Sequence, residues 1–156
     1  MKIVAIPESF AEDLRRTRCD GHGHVDLVPT PVTLAHAAPC RVCLQDALPG
    51  ESVYLCTYSP FERAVPYWSA GPIFVHAHRC TPYAASASAA EVPDALARRL
   101  LSLHAHDAAG HMHAADVVAG AELTARAERF FAEDPRITVL HVHHARPGCF
   151  ACRIER

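Results

Sequence analysis

The chain has 156 residues, of which 50% are hydrophobic and 21% charged, and its formal net charge is −2. This length suits one domain with one core, and the composition excludes a disordered or fibrous protein. The charge provides no basic surface for nucleic acid or an anionic membrane, and no apolar run is long enough to span a bilayer. We therefore expect a cytoplasmic, single-domain protein over residues 1–156 that binds neither nucleic acid nor membranes, with its oligomeric state open.

The first half of the chain alternates regular segments with irregular ones. Hydrophobic spacing predicts a strand over 2–6, a helix over 8–18 and further strands over 25–28, 52–58 and 72–78. Glycine and proline interrupt 19–39, so 25–28 is the one strand expected there. The Ala/Ser-rich stretch 84–90 is predicted to be mobile.

The second half predicts two hairpins and a helix. Segments 100–106 and 111–118 flank the loop 107–110, and segments 137–144 and 149–155 flank the loop 145–148. Between the hairpins, 122–132 has helical spacing. The predicted fold class is α+β, with a mostly antiparallel sheet and two or three helices, because strands and helices do not alternate as in a parallel α/β fold.

Histidine is abundant, with 12 residues, and most of them stand in His-x-His pairs. The pairs are His22/His24, His76/His78, His104/His106, His111/His113 and His141/His143. Two residues apart in a strand, such side chains share a face at about 6.8 Å, which permits one metal ion between two imidazoles.

The first hairpin predicts the most crowded group of imidazoles. With 107–110 as the loop, His106 lies opposite His111 and His104 opposite His113, so that four rings share one face. We interpret this face as a solvated surface, with a metal site there as the alternative.

His76, His78 and Cys80 offer three potential ligands within five residues. In a straight strand the outer two would be roughly 13 Å apart, so all three reach one ion only if the strand bends near Arg79. The following Thr81-Pro82 favours such a bend.

Seven cysteines cannot all pair within the chain, and in a reducing compartment they act as thiols, metal ligands or redox groups. Cys40/Cys43 and Cys149/Cys152 are both Cys-x-x-Cys pairs, but no Gly follows either second cysteine. The second pair falls in a predicted strand, where residues three apart point to opposite faces. The first pair is predicted on a short helix starting at Pro39, with both sulfurs on one face. Metal ligation, redox pairing and inert buried thiols remain open for it.

Aromatic residues are concentrated between positions 54 and 83, as expected either for a small-molecule pocket or for an ordinary core. The candidate pocket residues, two of them from the C-terminal hairpin, are Tyr58, Phe74, Tyr83, Arg146 and Cys149. Cys80 with a neighbouring histidine lacks a third orienting group for a nucleophile, so the catalytic residues stay unknown.

Three segments carry a resemblance to a known family. They are Pro39-Cys40-Arg41-Val42-Cys43, Gly71-Pro72-Ile73-Phe74-Val75-His76 and His141-Val142-His143-His144-Ala145-Arg146-Pro147-Gly148-Cys149. With them the chain resembles, over about residues 39–156, the bacterial family called domain of unknown function 1203. The resemblance implies a single-domain protein but no activity, cofactor or partner. His143-His144 departs from the family's Arg-Asn, and the histidines of 104–113 fall outside its motifs.

The sequence-level hypothesis is a zinc-binding domain, since thiolate with imidazole is the ligand mixture that zinc favours. The candidate ligands are Cys40, Cys43, His76, His78, Cys80 and His141. One alternative is a metal-free enzyme or binding module for a small-molecule ligand in segment 54–83, with His76, His141 and Arg146 as polar groups. The other is a thiol redox protein that uses Cys40 and Cys43.

Overall fold

The computed structural model describes residues 1–83 and 91–156, and the described residues form two sheets and three helices. The strands are β1 (Lys2–Val4), β2 (Thr30–Pro31), β3 (Ser52–Tyr58), β4 (Gly71–His76), β5 (Leu100–His106), β6 (Met112–Ala119), β7 (Val139–His144) and β8 (Phe150–Glu155). The helices are α1 (Glu8–Thr17), α2 (Asp94–Ala97) and α3 (Leu123–Glu133), the last preceded by a 3-10 turn at Gly120–Glu122. The prediction of a mostly antiparallel sheet with two or three helices is confirmed, whereas the stretch 84–90, predicted to be mobile, lies outside the described residues.

The larger sheet has the strand order β1-β8-β7-β5-β6, and every neighbouring pair is antiparallel. Its first strand pairs with its last in sequence, with Ile3 opposite Ile154. One face carries alternate apolar side chains such as Leu101 and Leu103 on β5, and α3 covers that face with Leu123, Ala127, Phe130 and Phe131. The three-to-four residue spacing of these helix positions therefore gives the sheet its core.

The smaller sheet has the order β2-β3-β4, also antiparallel. The register places Val53 opposite His76 and Tyr58 opposite Gly71. Helix α1 packs Ala11 and Leu14 into a second core that includes residues of both long strands. Strand β4, which pairs with β3, thus ends at His76. Cys40 lies next to this strand, where it forms a bridge with Phe74.

The predicted strand over 25–28 is wrong, because the buried carboxylate of Asp20 fixes this region as a loop instead. It accepts backbone N–H bonds from His22 (2.8 Å), His24 (3.2 Å) and Thr57 (2.9 Å), so the loop is attached to β3. The strand in this region is β2, which has only two residues.

The predicted pairing of histidines in the first hairpin is also wrong. A bulge between Ala105 and His106 shifts the register, so that His104 faces Ala115 and His106 faces Met112. His106 is buried, at 2% exposure, and is therefore not on a solvated face. On the other side of β5, His104 pairs with His141, and the imidazoles of 104, 106, 141 and 143 form one row across β5 and β7.

Within residues 1–83 and 91–156, no helix combines the length and apolar character needed to cross a membrane.

Candidate metal centre

Cys40 and Cys43 lie on a tight turn, not on the predicted helix. Pro39 and Asp46 bridge the base of the turn, the Cys40 N–H donates to the Gln45 carbonyl at 2.8 Å, and the Leu44 N–H donates to the Cys40 carbonyl at 3.1 Å. These cross-turn bonds replace a continuing helical ladder, which corrects the helix prediction. The turn also docks on β4, since the Arg41 N–H donates to the Phe74 carbonyl at 3.0 Å.

Leu44 has the backbone conformation that a glycine after the second cysteine would supply, with φ of 54°. The left-handed region costs a non-glycine residue about 1–2 kcal/mol. Leu44 is 3% exposed and belongs to the larger core, so burial of its side chain offsets this cost. The absence of Gly from the motif therefore does not prevent the tight turn.

The turn directs backbone N–H groups at its own sulfurs. The Cys43 N–H bonds to the sulfur of Cys40, and the Gln45 N–H bonds to the sulfur of Cys43. Hydrogen bonds of this kind stabilise thiolates and orient metal ligands.

The other two ligand groups, His76 and Cys80, come from the end of β4 and from the segment that follows it. The strand ends at His76, and the chain then bends back until the Tyr83 N–H donates to the Val42 carbonyl at 2.9 Å. This return places Cys80 beside the turn. The bend expected near Arg79 is thus present, and it brings His76 and Cys80 together without His78.

The four ligand atoms of Cys40, Cys43, His76 and Cys80 all lie within 4.8 Å of one another. The Cys40 and Cys80 sulfurs are 4.0 Å apart, and the Cys43 sulfur is 3.6 Å from Nδ1 of His76. A tetrahedral zinc with bonds of about 2.3 Å to sulfur and 2.0–2.1 Å to nitrogen separates two sulfurs by roughly 3.8 Å, and sulfur from nitrogen by roughly 3.6 Å. These two separations agree with such a site, and the other ligand atoms lie within 4.8 Å of one another. Three of the residues are buried and Cys80 is partly buried.

The protonation of the three thiols is mutually dependent. Hydrogen bonds from Cys43 and then Cys80 lower the pKa of Cys40, while the bond to Cys40 raises the pKa of Cys43 and of Cys80. Without a cation the cluster thus favours one thiolate held by two thiols. The pKa of His76 is raised, first by its bond to Cys40. Arg15 donates from Nε to the His76 carbonyl at 3.1 Å and places a positive charge beside the cluster.

Glu51, which the sequence did not single out, forms a second group with His76 and His78. Its Oε2 is 3.4 Å from Nε2 of His76 and its Oε1 is 3.6 Å from Nε2 of His78. The Leu48 N–H holds this carboxylate at 2.7 Å and lowers the pKa of Glu51. His78 therefore lies next to the four-residue cluster without belonging to it. Glu51 lies between His78 and the cluster residue His76.

His141 is not among the residues brought to this cluster, because β7 belongs to the larger sheet. Its ring lies 4.9 Å from that of His106 and 4.7 Å from that of Phe61. Burial, reinforced by His106 and His143, lowers the pKa of His141 to about 3.

The candidate pocket residues do not share one cavity. Phe74, Arg146 and Cys149 line a cavity of 390 Å³ to which none of the four cluster residues contributes. Tyr58 lies beside Phe150, with ring centres 5.7 Å apart, and Tyr83 lines a different cavity. The side chain of Cys152 is buried in the core and Cys149 contacts Arg41, so the second cysteine pair does not join the cluster.

The chain belongs to the family described as "Protein of unknown function (DUF1203)", whose family model matches residues 37–156. This confirms the family to which the sequence motifs pointed. No curated protein and no solved structure matches the chain. The matched region contains all four residues of the Cys/His cluster, and the family description assigns it no activity.

Proposed function

We propose that this member of the DUF1203 family holds one zinc ion through Cys40, Cys43, His76 and Cys80, and that the ion has a structural role. The observation that carries the proposal is the convergence of three sulfurs and one imidazole nitrogen within 4.8 Å. Structural zinc sites have four protein ligands, often three cysteines and one histidine, whereas catalytic sites keep a position for water. A complete set of four ligands therefore supports a structural ion.

The ion would link parts of the chain that are far apart in sequence. It would tie the turn at Cys40 and Cys43 to the end of β4 at His76 and to Cys80 in the segment that follows. Because such a ligand set does not exist in the unfolded chain, the free energy of metal binding contributes to folding. Zinc with three thiolates has a net charge of −1, which the guanidinium of Arg15 offsets.

Metal content and thiol accessibility test the proposal together. We expect tag-free protein to contain about one equivalent of zinc. With zinc bound, Cys40, Cys43 and Cys80 are protected from a thiol reagent, Cys56 and Cys152 are buried, and Cys19 and Cys149 react. Chelation removes the ion that would hold the turn, so Cys80 and then the buried Cys40 and Cys43 should gain reactivity and the number of fast-reacting thiols should rise above two. Less than about half an equivalent of metal, with all seven thiols reactive from the start, would contradict the proposal.

Single substitutions identify the ligands. Cys43→Ser should lose most of the zinc, whereas Cys19→Ser, which changes a cysteine outside the cluster, should retain it. His78→Ala and His141→Ala should also retain one equivalent, because neither imidazole belongs to the four-residue cluster. Loss of zinc in Cys19→Ser would place the ion elsewhere.

The same preparation separates zinc binding from thiol redox chemistry. The redox alternative uses Cys40 and Cys43, whose sulfurs lie within 4.8 Å of each other, and the Cys80 sulfur, 4.0 Å from that of Cys40, is a second possible disulfide partner once metal is removed. A metal-poor protein with a disulfide that forms reversibly near the cytosolic redox poise would favour the redox alternative. A zinc-loaded protein whose cluster thiols resist mild oxidation favours the structural ion.

A further inference from the structure

A cavity of 390 Å³ lies beside the turn that carries Cys40 and Cys43, and its lining is strongly cationic. Four of its twelve lining residues are arginines, two are histidines and none is acidic. The arginines are Arg41, Arg98, Arg99 and Arg146, and Ala37 and His144 are also part of the wall. A volume of this size is in the range that encloses a small organic molecule.

The positive charge around the cavity is only partly balanced. Asp46 pairs with Arg99 at 2.6 Å, and Asp94 lies 3.7 Å from Arg98. Arg41 and Arg146 have no carboxylate partner among residues 1–83 and 91–156. The guanidinium charges of Arg41 and Arg146 are therefore not balanced by a carboxylate at this cavity.

Arg41 makes this imbalance acute because its side chain is 1% exposed. It donates from Nε to the Phe150 carbonyl at 2.7 Å, from Nη1 to the Pro39 carbonyl, and from Nη2 to the Cys149 sulfur at 3.0 Å. A guanidinium has five N–H donors, so two remain after these three bonds. Burial destabilises this charge more than the neighbouring sulfurs of Cys149 and Cys40 stabilise it, and an oxyanion would satisfy both the charge and the remaining donors.

His144 supplies an independent polar group in the same lining. It is 4% exposed, and its Nδ1 is buried without a hydrogen-bond partner among the described residues. Burial, followed by the charges of Arg41 and Arg99, lowers the pKa of His144 to about 3. The ring is thus neutral at pH 7, and its Nδ1 can donate or accept a hydrogen bond with a bound molecule, depending on the tautomer.

We propose that this cavity is a binding site for a small organic anion whose carboxylate or phosphate group contacts Arg41 and Arg146. The planar guanidinium fork matches the oxygens of both groups. Phe74, Leu100 and Pro147 provide an apolar wall for the rest of the molecule, and His144 contacts a polar atom of it. This site is distinct from the Cys/His cluster, because none of the four cluster residues lines the cavity.

Binding is tested by isothermal titration of the purified full chain at constant ionic strength. The probes are inorganic phosphate, phenyl phosphate and benzoate, with benzamide as the uncharged analogue of benzoate. We expect saturable binding of at least one anion and none of benzamide. Tighter binding of phenyl phosphate than of benzoate would identify phosphate as the group that the site binds, and the reverse order would identify carboxylate. Failure of all three anions to bind, or equal binding of benzamide, would overturn the proposal.

Two variants locate the binding in the cavity. Arg146→Gln removes an exposed charge at the cavity and should weaken binding roughly ten-fold, the loss of one charge-assisted contact. Ala37→Phe fills space at the cavity wall with no change of charge and should also weaken it. Arg129→Gln removes an exposed charge on α3 and should leave binding unchanged. If neither cavity variant weakens binding, or if Arg129→Gln weakens it as much as Arg146→Gln does, the assignment is wrong.

Discussion

Oε2 of Glu51 lies 3.4 Å from Nε2 of His76, while Nδ1 of the same ring faces the Cys43 sulfur at 3.6 Å. A carboxylate on the second nitrogen of a ligating histidine fixes its tautomer and increases its basicity, and removing such a partner typically lowers metal affinity 10–100-fold. We expect Glu51→Gln to lower zinc affinity by about this factor while the stoichiometry at saturation stays at one.

The measurement for Glu51 is competition with a chromophoric chelator at pH 7. Glu128→Gln is the matched control, because Glu128 is exposed on α3, far along the chain from the cluster. An unchanged zinc affinity in Glu51→Gln would show that the carboxylate does not act on the metal centre.

Acid should destabilise the fold through its buried imidazoles. The pKa of His141 is lowered to about 3 by burial and neighbouring histidines, and that of His143 to about 4, first by burial. The unfolded chain binds protons near pH 6.5, whereas the folded chain keeps these rings neutral, so stability is full above about pH 6.5 and falls towards pH 3–4. For each such ring, the free energy of unfolding should fall by about 1–2 kcal/mol between pH 6.5 and pH 5.

His141→Phe tests this pH dependence. The Nδ1 of His141 is buried without a hydrogen-bond partner in the described part of the chain, and its ring already packs against Phe61. We therefore expect the variant to fold and to show a smaller drop in Tm between pH 7 and pH 5 than the wild type. His22→Phe, in an exposed loop, should leave the wild-type drop in place. If Tm falls equally in His141→Phe and in the wild type, protonation of His141 does not cause the loss of stability in acid.

Asp20 should contribute strongly to stability because its side chain is fully buried and accepts several N–H bonds. Loss of hydrogen bonds to a charged group costs about 1.5–3 kcal/mol. Asp20→Ala should lower the free energy of unfolding at pH 7 by about 2–3 kcal/mol, measured by urea denaturation. Asp13→Ala, on the exposed face of α1, should cost far less.

The effect of Asp20 should also depend on pH. Burial alone raises the pKa of Asp20, but the N–H bonds from Thr57, His22 and His24 lower it to about 2. The stabilisation is therefore complete above the ordinary value of 3.8 and is lost as the pH falls through about 2. A difference between wild type and Asp20→Ala that stays constant down to pH 2 would contradict the role of the ionised carboxylate.

Gly120 should not tolerate a side chain. A Cβ atom there would overlap the carbonyl oxygens of Leu96 and Ala97, and the Gly120 N–H donates to the Arg99 carbonyl at 2.8 Å. Because backbone atoms cannot move aside easily, Gly120→Ala should destabilise the fold by about 3 kcal/mol or more. Gly71→Ala is the control, since nothing lies within 4 Å of a Cβ at that position. Thermal unfolding of both variants measures the difference, and similar Tm values would refute the close packing.

Regular elements were predictable where apolar spacing and burial agree. Segment 52–58 is predicted as a strand and observed as β3, and 100–106 coincides with β5. The helix predicted over 122–132 is α3 at Leu123–Glu133, because its core-facing positions recur every three to four residues. Short motifs made Cys40, Cys43, His76 and Cys80 recognisable as candidate ligands, but the two pairs meet only because the turn docks on β4 and the chain returns at Tyr83.

What the sequence could not predict depends on long-range register. Glu51 reaches His76 and His78 only through the pairing of β3 with β4, across a loop whose length does not define the register. The bulge at Ala105 and His106 similarly takes the histidines of β5 and β6 out of register, while the imidazole row follows from the separate pairing of β5 with β7. Arg41 was overlooked because a charged residue between two cysteines is normally exposed. The helix predicted over this segment gave no signal for Arg41, because only the observed turn places its side chain in the interior.

The pairing of β1 with β8 imposes an order on biosynthesis. Strand β1 is translated before the other strands of its sheet and its hydrogen-bonding partner β8 after them, so the larger sheet cannot be completed until β8 has emerged. The four cluster residues, between positions 40 and 80, are all translated well before that point. If the proposed zinc ion binds, its complete ligand set is therefore available while β1 is still an unpaired strand, and metal binding can precede closure of the larger sheet.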